Sequence, residues 1–135
     1  MLERQVGNMT YINYPVGDFL IRIKNASIAG RKTVSVNKTS LIVDVAKTLV
    51  KLGFLQDMKV DKKLVTVQIV YQNKKPLLTD IKLVSKPGLR IYKSADDLEK
   101  EKKPTFIIIT TSKGVLSKDE AIKMRVGGEV IAEIL

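Results

Sequence analysis

The chain contains no cysteine, no histidine and no tryptophan, only 3 phenylalanines, 4 tyrosines and 4 prolines, and just 14 acidic side chains against 24 basic ones. Without cysteine or histidine it cannot build the common zinc sites, run thiol chemistry or hold a histidine-based catalytic triad, so most hydrolytic mechanisms are excluded. No disulfide holds it together, and the missing cysteines say nothing further about redox compartment. No apolar run approaches the ~20 residues of a membrane span. The opening Met1-Leu2-Glu3-Arg4-Gln5 includes an acid and lacks a signal peptide's apolar stretch. A soluble cytoplasmic protein is the expectation, with neither membrane nor small molecule as partner and with no cofactor or metal.

What the chain does have is size and positive charge. Its 135 residues, 44% hydrophobic, suit one domain or two small ones sharing a core. The net charge of +10 fits a polyanion, either nucleic acid or an anionic membrane surface. It is unevenly spread. Residues 1–75 carry 13 basic and 5 acidic side chains, a net +8, whereas residues 76–135 carry 11 and 9, a net +2. The first half is suited to a long-range field and phosphate contacts, the second to recognition by shape and hydrogen bonds.

Periodicity gives the elements. Val16, Phe19, Leu20 and Ile23 recur at helical spacing after Pro15, which predicts a helix over about 15–28 closed near Gly30. Thr33 to Val36 alternates as a short strand. Thr39 or Ser40 can cap a second helix with Leu41, Val45, Leu49 and Leu52 on one face, ended by Gly53. Phe54 to Val60 and Leu64 to Tyr71 read as a hairpin around Asp61-Lys62-Lys63. Both helices are expected on one sheet face. Asn73-Lys74-Lys75-Pro76 breaks the periodicity and marks a boundary.

Beyond it, Leu77 to Val84 is extended, Pro87-Gly88 suits a type II turn, and Leu89 to Tyr92 resumes as a strand. Ser94 can cap one or two helical turns reaching Lys103, with Asp96 and Asp97 at the positive helix end. Phe106 to Thr110 reads as a buried strand. Ser117 and Glu120 have capping-box spacing for a helix over about 118–124, which Gly127-Gly128 terminates before a last strand, Glu129 to Ile134. The class is α+β: two small α/β domains, the N-terminal one helix-strand-helix-strand-strand and the C-terminal one mostly β with a short helix. The expected bounds are 1–14 for an N-terminal extension, 15–75 and 76–135.

The stretch with most chemistry follows the apolar strand. Thr110, Thr111 and Ser112 place three hydroxyls at a strand end, where they can donate to and accept from ribose and base edges; Lys113 adds a charge for phosphate, and Gly114 permits close backbone approach. RNA presents all of these partners together. The plain alternative is a strand end followed by an ordinary turn. On the first helix Arg22 and Asn25, three apart, can face one partner, with Lys24 beside them, or simply form a solvated face. Tyr92 either pads the core or stacks on a base, and its neighbours Arg90 and Lys93 favour the surface.

Two weak enzyme patterns exist, Ser35-Val36-Asn37-Lys38 and Ser112-Lys113. With 7 serines and 19 lysines in the chain, about one Ser-x-x-Lys spacing arises by chance. No oxyanion-hole motif accompanies either, and Ser35 sits in a strand. A DNA-binding or membrane-surface protein is the other rival, but no helix-turn-helix or basic amphipathic helix stands out.

Three runs carry a resemblance. Thr110-Thr111-Ser112-Lys113-Gly114-Val115 with Gly127-Gly128-Glu129, Lys86-Pro87-Gly88-Leu89-Arg90-Ile91-Tyr92-Lys93, and Arg22-Ile23-Lys24-Asn25-Ala26 with Gly53-Phe54 are collinear with, and similar to, runs in the bacterial family of the eighth small-subunit ribosomal protein. The resemblance spans about Pro15 to Glu129. It implies a two-domain, non-catalytic protein that binds the central domain of small-subunit ribosomal RNA early in assembly, beside neighbouring small-subunit proteins in the ribosome. It also implies that Thr110, Thr111, Ser112, Lys113 and Gly114 meet RNA, with Tyr92, Gly127, Gly128 and Glu129 completing that surface and Lys86, Arg90, Arg22, Lys24 and Asn25 adding contacts. Thr110 stands where the family has serine, and Ile21 where it has threonine. Glu99 to Phe106 replaces a more apolar segment with a Gly-Leu-Gly turn, and residues before about Tyr14 have no family counterpart.

Overall fold

A computed structural model describes residues 14–102 and 105–135, so all of the expected N-terminal extension except Tyr14, and Lys103, lie outside the described residues. The elements run α1 (Pro15–Ala29), β1 (Thr33–Asn37), α2 (Ser40–Leu52), β2 (Leu55–Val60), β3 (Leu64–Ile69), β4 (Tyr71–Gln72) and β5 (Lys75–Pro76). They continue with β6 (Ile81–Leu83), β7 (Tyr92–Lys93), α3 (Ala95–Lys100), β8 (Phe106–Thr111), β9 (Gly114–Ser117), α4 (Lys118–Met124) and β10 (Gly128–Ile134). The class is α+β, and every strand pairing among the described residues is antiparallel.

In the first half, Pro15 occupies the first helical turn, where its missing N–H costs no hydrogen bond. Thr39 rather than Ser40 caps α2, its hydroxyl accepting from the Ile42 amide at 3.1 Å. The buried stripe of α2 is Ile42, Val45, Ala46 and Leu49. This corrects the expected face: Leu41, 100° away from Ile42, is exposed. β1, β3 and β2 form a three-stranded sheet in that order. Val34, Leu55, Val65, Val67 and Ile69 point from it into the cluster that holds the apolar sides of α1 and α2. The polar cluster at 73–74 is the tip of a small hairpin, β4 with β5, in which Asn73 and Lys74 both have positive φ.

The second half is a five-stranded sheet in the order β9-β8-β10-β6, with β7 also paired to β10. β9 is a strand that the patterning missed. β8 is apolar and buried over Ile107, Ile108 and Ile109 because both faces are covered there. Ile108 joins the cluster containing Phe19, Leu20 and Leu49, whereas Ile107 and Ile109 join a second cluster with Leu98, Ala121 and Val130 under α3 and α4. The first cluster thus crosses the 75/76 boundary.

The expected strand over 89–92 shrinks to Tyr92–Lys93 for a definite reason. Lys86 and Leu89 exchange two 2.9 Å backbone bonds around Pro87-Gly88, and the buried Ser85 hydroxyl takes the Ile91 amide at 2.9 Å, so those groups cannot extend a ladder. α3 and α4 both begin with capping boxes, Ser94 with Asp97 and Ser117 with Glu120. The stop of α4 is a correction: Arg125, not Gly127-Gly128, takes the left-handed position, and the Val126 amide closes on Ala121.

Among the described residues four carboxyls are held below their ordinary values. The Leu64 amide does this for Asp61, the Lys24 ammonium for Asp80, and the Ser94 and Ser117 amides for Asp97 and Glu120. A folded value below the unfolded one stabilises the protein fully above the ordinary 3.8 of Asp and 4.5 of Glu, and the contribution is lost as pH falls through the lower folded values. With no histidine to titrate, the urea midpoint should stay level between about pH 7 and 5.5 and decline below about pH 4. A midpoint that drops between those two higher values contradicts this account.

Candidate nucleic-acid interface

Strand register assembles the expected residues into two adjacent rows. Glu129 on β10 stands opposite Tyr92 on one side and Thr110 on the other, and Thr110 stands opposite Val115. One position along, Gly128 stands opposite Lys93 and Thr111, and Thr111 opposite Gly114. Because faces alternate along a strand, Tyr92, Glu129 and Thr110 share one face and Lys93 and Thr111 the other. Tyr92 is 69% exposed, which excludes the core reading.

The hydroxyls divide into two kinds. Thr111 Oγ1 donates to the Gly114 carbonyl at 2.8 Å and accepts from the Lys113 amide at 3.0 Å, so it ties the β8–β9 turn. Gly114 has φ +105°, the positive φ that lets this turn rejoin the ladder, and a Cβ there meets open space. Thr110 and Ser112 hydroxyls have no protein partner among the described residues, and Ser112 and Lys113 are exposed at the tip.

Gly127 and Gly128 have neither the positive φ expected of a helix stop nor open space. A Cβ on Gly128 would collide with the Thr110 carbonyl oxygen and lie 2.9 Å from its carbon; on Gly127 it would collide with the Lys93 carbonyl and lie 2.7 Å from Ser94 Cα. Their bareness serves the close passage of β10 between β7 and β8.

Several expected cations are already partnered. Arg90 Nη1 lies 3.1 Å from Glu129 Oε2, its guanidinium 5.3 Å from the centre of the Tyr14 ring. Lys24 pairs with Asp80 at 2.9 Å, joining α1 to the second half. Lys93 pairs with Glu101 of the divergent segment, whose carbonyl also accepts from Lys118 at 2.9 Å. Glu99 and Asp96 hold Arg125. The Lys86 side chain is exposed at the turn before Arg90. Arg22 and Asn25 are not brought to the strand rows: they line a separate cleft of about 430 Å³ between α1 and β1, with Arg31, Thr33 and Ser35. Ser35 Oγ is 2.8 Å from Thr66 Oγ1, so the Ser-x-x-Lys pattern is a strand with a cross-strand hydroxyl pair. Tyr14 and Ser85, which shape the rows from behind, carried no motif.

The glycine contacts give a direct test. Gly128→Ala and Gly128→Asn should each destabilise the fold by about 1–3 kcal/mol, asparagine giving no rescue because positive φ is not the requirement. Thermal melts of both variants matching the unsubstituted protein would refute close strand passage as the reason for glycine.

The family model described as "Ribosomal protein S8" matches residues 14–135. Among similar curated proteins, each named "Small ribosomal subunit protein uS8", that of Nitratiruptor sp. is 36% identical over 132 residues, covering 91% of this chain and 98% of the relative. That of Pelagibacter ubique is 38% identical over 125 residues, covering 89% and 95%. That of Mesomycoplasma hyopneumoniae is 37% identical over 130 residues, covering 93% and 99%. The match begins at the residue where α1 is entered and takes in both strand rows, so the chain belongs to the ribosomal protein S8 family, structural and non-enzymatic constituents of the small ribosomal subunit.

Proposed function

We propose that this chain binds the central domain of small-subunit ribosomal RNA directly and supports its assembly, working in the cytoplasm within the ribosome and beside neighbouring small-subunit proteins. The observation that carries this reading is the row of Tyr92, Glu129 and Thr110 next to a hairpin tip bearing Ser112 and Lys113. An exposed ring offers a stacking platform, unpaired hydroxyls meet ribose and base edges, and one ammonium meets phosphate. Glu129 beside RNA is tolerable because Arg90 already neutralises it.

Division of labour follows charge. Residues 76–135, as a mainly β unit, supply recognition at net +2, and residues 15–75 supply field and phosphate contacts through Arg22, Asn25 and the exposed lysines. Lys24, held by Asp80, joins the two.

Filter binding of a central-domain RNA fragment across a salt series tests the reading. Ser112→Ala should lose about 1–3 kcal/mol of binding with an unchanged melting temperature, since its hydroxyl is unspent within the protein. Thr111→Val should instead lower the melting temperature, because its hydroxyl ties the turn. Lys113→Gln should reduce the logarithmic salt slope by about 0.7–0.9, one phosphate's share. Equal affinity for a scrambled RNA of the same length would leave only a general polyanion binder.

A further inference from the structure

Tyr14 occupies the N-cap of α1, yet its side chain makes no capping bond. It reaches 71 residues along the chain instead, donating its hydroxyl to the Ser85 carbonyl at 3.0 Å. Ser85 is fully buried, and its own hydroxyl holds the Ile91 amide, so the Tyr14 bond anchors the base of the tight 85–91 loop. The ring lies against Gly17: a Cβ there would collide with Tyr14 Cδ2 and stand 2.8 Å from Cε2. Over the ring sits Arg90, itself bonded to Glu129, the middle residue of the exposed row. Burial pushes the phenol further up from its ordinary value.

We propose that Tyr14 and Arg90 are positioning residues for RNA recognition, a clamp that fixes the 85–91 loop to the start of α1 and aims Glu129 between Tyr92 and Thr110. It rests on the RNA-binding reading above. In this arrangement Arg90 is not a phosphate ligand, because Glu129 and the Tyr14 ring already compensate its charge. The clamp sets the disposition of Lys86, in that loop, and of Tyr92, which follows it directly on β7, relative to the hydroxyls of β8. Gly17 is part of the device, since only a residue without a side chain lets the ring lie flat on the first turn of α1.

The full chain, the same ribosomal RNA fragment and a salt series test it, with binding read well below the melting temperature of every variant. Tyr14→Leu and Arg90→Gln should each weaken binding about tenfold with the salt slope of the unsubstituted protein, and the double variant should bind about as weakly as either one alone. Tyr14→Phe, which keeps the ring under Arg90, should recover part of the loss. Gly17→Ala should weaken binding in the unsubstituted background and not in Tyr14→Leu, where no ring remains to displace. A salt slope reduced by about one phosphate in Arg90→Gln makes Arg90 a direct contact and overturns the proposal. So does undiminished affinity in folded Tyr14→Leu, which makes the clamp a stability tie only. If the unsubstituted chain fails to select ribosomal RNA, the underlying reading falls and the proposal with it.

Discussion

The structure depends on one strand whose centre has water on neither face. β8 presents Ile108 to the cluster shared with α1 and α2 and Ile107 and Ile109 to the cluster under α3 and α4, while its two edges are taken by β9 and β10. A strand so enclosed cannot slip by one residue without moving its whole side-chain set to the wrong core. That fixed register delivers Thr110, Thr111 and Ser112 to the same place at the strand's end, where the cover stops. The polar site is the emergent end of the most constrained apolar element, and its precision is inherited from the core.

Part of the charge in the second half is spoken for. Arg90, Lys93 and Arg125 each face a carboxylate, from Glu129, Glu101 and the Asp96–Glu99 pair respectively. Of these, the Arg125 pairs are exposed on both sides, and pairs of that kind contribute little to stability individually. Compensation matters more for function, because beside the strand rows a polyanion finds Lys86 and Lys113 exposed while Arg90 and Lys93 are already paired. Such a surface discriminates by geometry. The half with net +8 has Arg22 and Asn25 in an open cleft and lysines along exposed edges, suited to attraction at a distance.

Much of this was legible in the chain, because helix phase, capping boxes and apolar strands are local signals. α1, α4 and β8 follow from spacing alone, and the collinear runs locate the strand rows. What was hidden depended on distant contacts. Leu41 and Ile42 are equally apolar, and only the packing of α2 against α1 and the sheet decides that Ile42 is buried and Leu41 exposed. β9 escaped because Gly114-Val115-Leu116-Ser117 is too short to show a period. Nothing near Tyr14 in sequence announces Ser85 or Arg90. The pairing of Lys24 with Asp80 was equally invisible, since a basic residue on an exposed helix reads the same whether its partner is solvent, phosphate or a carboxylate from the other half.

The glycines show how one residue type answers different demands, and why a motif alone does not say which. Gly114 is needed for a backbone angle, with empty space where its Cβ would go. Gly128 is needed for the opposite reason: its angle is ordinary, and the Thr110 backbone fills the space. Both lie in runs that mark the family, and both border the same row of exposed groups, so sequence offers one explanation for the two. The distinction matters for how the site is built. At Gly114 the backbone bends so that Ser112 and Lys113 project; at Gly128 two strands close so tightly that Glu129, the next residue, is held between Tyr92 and Thr110. Projection at the hairpin tip and compression at its side are separate requirements, and the surface exists only where both are met within one sheet.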